Sequence, residues 1–366
     1  MIINNRHYQT IWIDESDPSV VKVIDQRKLP FVFEVKDLRS VDDVFAAIDD
    51  MTVRGAPLIG ATAAFGMYLA TLEITSGTNL KDHLHNAARY LISSRPTAVN
   101  LSWAVNHVLQ ILENDKIPGT VTEKALSAAL QICETEKENC RQIGIHGLKI
   151  IEQISRKKNG EPVNILTHCN AGWLACIDYG TATAPIYLAH EQGIPIHVWV
   201  DETRPRNQGS KLTAWELGQN KVPHTLIADN TGGHLMQHNR VDVVFVGSDR
   251  TTRRGDVANK IGTYLKALAA FDNKIPFYAV LPSTSIDFSI SDGIKEIVVE
   301  EREAGEVTDV SGYSDGEIRS VRICPEETKA ANFGFDVTPA RLVTGLITEK
   351  GICRATEEDI RKMFSD

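Results

Sequence analysis

Four times after residue 160 this chain breaks a short apolar run with a cluster of charged or hydrogen-bonding residues. VNILT, from Val163 to Thr167, stops at His168, Cys169 and Asn170, and small Ala171 and Gly172 follow. PIHVWV runs into Asp201-Glu202-Thr203-Arg204, HTLIA into Asp229-Asn230, and VDVVFVG into Ser248-Asp249-Arg250. Helix-like segments separate these runs. Alternation of this kind implies right-handed crossovers and a parallel sheet covered on both faces. The polar strand ends of such a sheet collect on one rim, where open α/β sheets place their ligands. Reactive groups converging there argue for an enzyme rather than a scaffold.

The spacing predicts strands at 163–167, 195–200, 224–228, 241–246, 276–281 and 296–300. Helical stretches are expected at about 174–192, 210–219, 231–239 and 259–272, and in the tail near 339–348 and 356–364. The first 35 residues alternate apolar and polar side chains, with Pro18 and Pro30 as punctuation, and read as short antiparallel strands. Ser40-Val41-Asp42-Asp43 opens a helix, and Arg54-Gly55-Ala56-Pro57 opens an apolar one reaching Glu73. Arg95-Pro96-Thr97 precedes another, running to about Glu113. The capping box Thr120–Glu123 starts a long amphipathic helix that fades at Arg156-Lys157-Lys158-Asn159-Gly160. The expected architecture is α/β: a smaller N-terminal domain of extended strands and helices (1–158) and a Rossmann-like parallel sheet in a C-terminal domain (159–366).

The balance of charge narrows the function. A net charge of −9 disfavours a general nucleic-acid surface, so an anionic substrate needs local cations. No apolar run approaches the roughly 20 residues of a membrane span, and MIINNRHYQT lacks a signal-peptide pattern. The cysteines at 133, 140, 169, 176, 324 and 353 form no CxxC pair, which leaves zinc and dithiol readings weak and fits a reduced cytoplasmic protein.

Among them Cys169 stands apart, at a strand exit between His168 and Asn170; the other five read as small buried hydrophobes. His168 is an unsuitable base for it, because adjacent side chains on an extended chain diverge. Asp249 ends the fourth strand. It is a helix cap, an ion-pair partner for Arg250, or a carboxylate in a partly dry cleft, where its pKa rises for acid–base work. Arg54, Gly55 and Ala56 put bare amides and a guanidinium at a helix start, an anion-binding arrangement. Lys260 is read at the start of the helix after Gly255. A Walker motif is absent, and no GxGxxG fingerprint follows any strand, which disfavours a nicotinamide enzyme.

Taken in order, VRGAPLIG, SRPTAVNL, THCNAG, YGTA, DETRP..QG, LTAWEL, GDVANKIGTY and FDVTPARL closely resemble the methylthioribose-1-phosphate isomerases, over residues 53 to 343. The resemblance implies an aldose–ketose isomerase of methionine salvage with Cys169 and Asp249 as its catalytic pair. It implies phosphosugar contacts at Arg54, Gly55, Ala56, Arg95, Gln208, Asn259 and Lys260, no cofactor or metal, and a homodimer. The same fold serves regulatory subunits of a translation-initiation exchange factor and ribose-1,5-bisphosphate isomerases. The regulatory subunits generally lack the cysteine–aspartate pair, which this chain keeps. Arg206-Asn207, Arg253-Arg254 and Asn332-Phe333-Gly334 depart from the commoner isomerase pattern. The alternatives are an isomerase of a related pentose phosphate, such as 5-deoxyribose 1-phosphate or ribose 1,5-bisphosphate, and a non-catalytic regulatory subunit of the same fold.

Overall fold

The computed structural model describes residues 1–3, 6–95, 98–114 and 117–364; Pro96 and Thr97 of the SRPTAVNL segment lie outside them. The first part opens with the short antiparallel pair Ile2–Ile3 and Arg6–His7, followed by a three-stranded antiparallel sheet of Ile11–Ile13, Val21–Ile24 and Val35–Leu38. Helices follow. Val41–Asp49 starts at Ser40, whose side chain accepts from the Asp43 amide. Ala56–Leu72 has Pro57 in its first turn and is buried along nearly all its length, as its small apolar sequence requires. Val99–Glu113 packs against it. The helix Leu80–Ser93, capped by Asn79, was not anticipated.

The Thr120–Glu123 capping box is present, and the helix it starts runs from Val121 to Lys157. Its early residues, Ala125 to Cys133, belong to the core of the first part. Its later ones, Ile143, Leu148, Ile150 and Ile151, join a core with the strands Val163–Thr167 and Ile196–Asp201.

The large sheet has seven strands. In spatial order they are Gly351–Cys353, Gly345–Thr348, Phe277–Val280, Val243–Val246, Val163–Thr167, Ile196–Asp201 and His224–Ile227. Neighbours pair in parallel except at Gly351–Cys353, which is antiparallel. The chain builds outward from Val163–Thr167 to His224–Ile227. It then returns to lay Val243–Val246 against the other side of the first strand, pairing Ile165 with Val243 and Leu166 with Val244. Strand order therefore reverses between these two strands, and their carboxyl ends flank the crevice.

Several expectations need correction. The predicted strand 296–300 is absent: Gly293–Glu296 is a helical turn, and Glu301 makes a single bridge to Phe333. The stretch 174–192 is helical at Ala184–Glu191, after a 3-10 turn at Trp173–Ala175. Residues 339–348 divide into a 3-10 turn, Ala340–Leu342, and the buried strand Gly345–Thr348. Residues 257–260 form a strand, and the following helix begins at Thr263. Val257–Lys260 lies in a second, four-stranded sheet with Ile286–Asp287, Arg250–Thr252 and Phe335–Thr338.

Candidate active site

Cys169 follows the strand Val163–Thr167, and Asp249 follows Val243–Val246, so the two groups meet where the strand order reverses. Both line one cleft with Arg54, Gly55, Ala56, Arg95, Gln208, Asn259 and Lys260. All the residues proposed from sequence therefore converge, although they arrive on separate segments. The cleft is tight, about 60 Å3. Its Met51, Arg54 and Gln208 also wall a neighbouring cavity of about 440 Å3.

Cys169 sits in the left-handed region at φ 65°, a conformation that costs a non-glycine residue about 1–2 kcal/mol. Hydrogen bonds hold it there. Its amide donates to Thr203 Oγ1 at 2.8 Å, and its carbonyl accepts from Thr213 Oγ1 at 2.7 Å. The thiol lies 3.4 Å from Gln208 Oε1 and donates to it. Burial pushes the thiol's pKa up, against the pull of Arg54 and Lys260, and the nearby Asp249 charge pushes it further. At neutral pH Cys169 is a thiol.

Asp249 is under the same pressures. Burial raises its carboxyl above the ordinary range, opposed by Lys260, Arg54 and Arg95. Arg250, its sequence neighbour, is engaged elsewhere, with two nitrogens 3.0 and 2.7 Å from Asp287 Oδ2. Asp249 is thus a half-buried carboxyl in a cleft rather than half of a surface ion pair. That is the environment of a neutral acid able to donate a proton.

The cations form the other wall. Arg54 donates to both oxygens of Asn170, side chain and backbone. Gly55, at φ 94°, precedes the helix Ala56–Leu72 and lies so close to Ala175 that a side chain would overlap it. The helix start is therefore bare. Lys260, nearly fully buried at the end of its strand, donates to the Gly334 carbonyl at 2.9 Å and sits over the Phe335 ring. Burial lowers its pKa, while Cys169 and Asp249 raise it. Lys260 reaches the cleft from a strand end, not from the helix start that its sequence suggested. Arg95 contacts Glu300 at 3.3 Å and leaves its buried Nε without a partner. Asn259 is held by Thr263 at 3.1 Å.

His168 is occupied. Its Nδ1 is 2.9 Å from Asp201 Oδ2 and its Nε2 is 2.9 Å from the Ile261 carbonyl. A carbonyl can only accept, so Nε2 carries hydrogen and the ring is unavailable as a base for Cys169. His168, Asp201 and Asp229 come close enough to suggest a cation site. Lys266 already fills that role, with its ammonium 3.2 Å from Asp201.

Comparison with known proteins completes the picture. The model of the initiation factor 2 subunit family matches residues 52–355. The curated methylthioribose-1-phosphate isomerase of Desulfatibacillum aliphaticivorans is 57% identical over all of this chain and 99% of its own length. The chain belongs to the methylthioribose-1-phosphate isomerase family. Its fold matches the crystal structure of 5-methylthioribose 1-phosphate isomerase from Pyrococcus horikoshii, with a TM-score of 0.84 and 36% identity over 98% of this chain and 96% of that one. It also matches a structure described as translation initiation factor eIF-2B, subunit delta, from A. fulgidus, at 0.80 and 38% over 98% and 99%.

Two members of the site escaped sequence reasoning. Cys176, read as structural, is buried yet lines the cleft, against Cys140 and Ala175. Glu216 lies behind the cleft, in a segment whose sequence reads as an ordinary amphipathic helix. A carboxylate on such a helix gives no signal of burial until the fold places it.

Proposed function

We propose that this chain opens and isomerises 5-methylthioribose 1-phosphate to 5-methylthioribulose 1-phosphate, with Cys169 and Asp249 as the reacting side chains. The observation that carries this reading is the meeting of a buried thiol and a half-buried carboxyl at the strand-order reversal, beside three cations. Phosphorylation at C1 prevents spontaneous opening to a free aldehyde, so the enzyme must assist it. Asp249, whose pKa desolvation raises, donates to the ring oxygen as the C1–O bond breaks. Hydrogen then moves from C2 to C1, with Cys169 at that edge of the sugar, and the C2 hydroxyl proton passes to the Asp249 carboxylate as the ketone forms, which restores the acid. Arg54, Arg95 and Lys260, together with the amides of the bare helix start, hold the phosphate. Gln208 and Asn259 face the sugar hydroxyls.

A pentose phosphate outgrows the tight cleft. Its 5-substituent is assigned to the adjoining cavity, where Met51, Leu212, Val310 and Ile318 offer apolar contact to a methylthio group. A purely regulatory role is disfavoured because such a role has no use for the thiol–carboxyl pair.

The resemblance to the family supports a homodimer working in the cytoplasm, and none of the helices among the described residues is long and apolar enough to cross a membrane. The division into 1–158 and 159–366 is retained as a proposal. Purified protein should convert 5-methylthioribose 1-phosphate to its ketose, read by phosphorus NMR. Absence of turnover with this sugar, alongside turnover of 5-deoxyribose 1-phosphate or ribose 1,5-bisphosphate, would reassign the 5-substituent. No turnover of any of them sinks the isomerase reading.

A further inference from the structure

The loop carrying Cys169 is tied to one side chain that does not line the cleft. Glu216 Oε1 accepts from Asn170 Nδ2 at 3.0 Å and from the Leu174 amide at 2.7 Å. Its Oε2 accepts from the Trp173 amide at 3.0 Å and from the Tyr187 hydroxyl at 2.9 Å. Glu216 is fully buried, and no cation lies within ion-pair distance of it among the described residues. Four donors suit an ionised carboxylate, which only accepts. Burial raises its pKa, and the bonds from Asn170, Leu174, Tyr187 and Trp173 pull it down.

A buried carboxylate with no counter-charge is expensive. The compensation arrives through Asn170. The carboxamide oxygen of Asn170 accepts from Arg54 Nη1, while its Nδ2 donates to Glu216. Arg54 Nη2 also donates to the Asn170 carbonyl at 2.7 Å. One amide is thus polarised between a guanidinium and a carboxylate, and its orientation is fixed from both ends. Gly172 completes the arrangement: a side chain there would overlap the Glu216 carboxylate, which occupies the hollow that glycine leaves.

We propose that Glu216 is a positioning residue for the isomerisation. Through Asn170 it aims the Arg54 guanidinium at the sugar phosphate, and through the Trp173 and Leu174 amides it fixes the turn that presents the Cys169 thiol. This rests on the isomerase reading of the cleft. It adds a residue that touches neither substrate nor reacting atoms, yet sets the geometry of a binding group and a catalytic group together.

The test compares Glu216→Gln, Glu216→Asp and Tyr187→Phe with the native chain. In Glu216→Gln an NH2 replaces an acceptor and faces donors it cannot satisfy. Its kcat should fall about 100-fold, and its KM for 5-methylthioribose 1-phosphate should rise about tenfold. Glu216→Asp keeps the charge and should recover part of both losses. Tyr187→Phe removes one of the four donors without touching the loop, and should stay within threefold of native in kcat and KM whatever its melting temperature does.

A second readout needs no substrate: the rate of iodoacetamide alkylation of Cys169 against pH, with Cys169→Ser as the blank. Glu216→Gln and Glu216→Asp should displace that profile; Tyr187→Phe should not. If Glu216→Gln does not fold, Glu216→Asp against Tyr187→Phe decides. A native profile and native kinetics in a folded Glu216 variant overturn the proposal, and so do equal losses in Glu216→Asp and Tyr187→Phe. Lack of turnover in the native chain would instead strike the isomerase reading, while the alkylation profiles still report on the loop.

Discussion

Cys169 and Asp249 illustrate how burial selects protonation states. Each lies among cations that favour its ionised form, and for each desolvation is the larger influence. Replacing either with a near-isostere, Cys169→Ser or Asp249→Asn, should leave circular dichroism and thermal melting close to native while kcat falls by about 1000-fold or more. Near-native turnover in either variant would remove it from the chemistry. The sign of the pH dependence follows from the same geometry. On the proposed role of Asp249 as the acid, kcat/KM should fall as pH rises through its raised pKa. Lys260 opposes that rise, so Lys260→Gln should carry the falling limb to higher pH while also weakening substrate binding. A limb moving to lower pH would contradict the assignment of Asp249 as the acid. The cleft is tight, and the hydrogen that leaves C2 has little water to exchange with. Deuterium at C2 should therefore be retained largely at C1 of the ketose, and mass spectrometry of product made in ordinary water measures it. Complete washout would indicate a base in contact with solvent.

Among the elements, the helix Val121–Lys157 combines a capping box that sequence reveals with a titratable group that it hides. Glu136 is buried on this helix, its Oε2 has no hydrogen-bond partner, and desolvation, with Glu349 nearby, pushes its pKa up to about 7. A carboxyl raised on folding stabilises the protein while protonated. That contribution is complete below the unfolded pKa near ~4.3 and disappears as pH rises through about 7. Glu136→Gln removes the ionisable group. It should match the native chain in urea unfolding near pH 4 and exceed its stability by roughly 3–4 kcal/mol at pH 8, at ~1.4 kcal/mol per pH unit over the interval between the two pKa values. An equal pH slope in both proteins would contradict this. The same contrast explains what sequence could reveal elsewhere. The strands Val163–Thr167 and Val243–Val246 were legible because continuous apolar runs end in sharp polar breaks. The strand Val257–Lys260 was misread because alanine, asparagine and lysine carry little strand preference; pairing with Phe335–Thr338 decides it. Gly345–Thr348 reads as helix or strand alike, because a short buried apolar run has no period to separate the two. Arg54 and Cys169 could be named from sequence, but Glu216 could not, since its role depends on contacts with a loop more than forty residues away.

In the whole molecule, the long helix belongs to both halves. Its first turns complete the core around Phe65 and Leu101, and its last turns complete the core around Ile165 and Phe245. A fragment cut at the proposed 158/159 boundary would leave Ile143, Leu148 and Ile151 behind and expose the apolar surface they cover. Residues 159–366 expressed alone should therefore lack a cooperative melt and bind a hydrophobic dye, and a fragment beginning near residue 138 should recover the melt. A sharp melt of the shorter fragment would show that the helix is dispensable to the sheet. The net charge of −9 concerns the outer surface, whereas the cleft collects its cations from three distant segments at Arg54, Arg95 and Lys260.

The contact between the two central strands has a further consequence. Two register pairs, Ile165 with Val243 and Leu166 with Val244, set how far Asp249 stands from Cys169. Where these strands leave the sheet, Gly247 lies against Ala171, and a Cβ on Gly247 would be 2.6 Å from the Ala171 methyl. Sliding one strand by a residue moves its end by about 3.3 Å and turns its side chains to the other face. The backbone ladder thus acts as the gauge of the reaction, and its tolerance is smaller than one residue. Lengthening either strand exit by a single amino acid could preserve a well-folded sheet and still leave the acid and the thiol out of step.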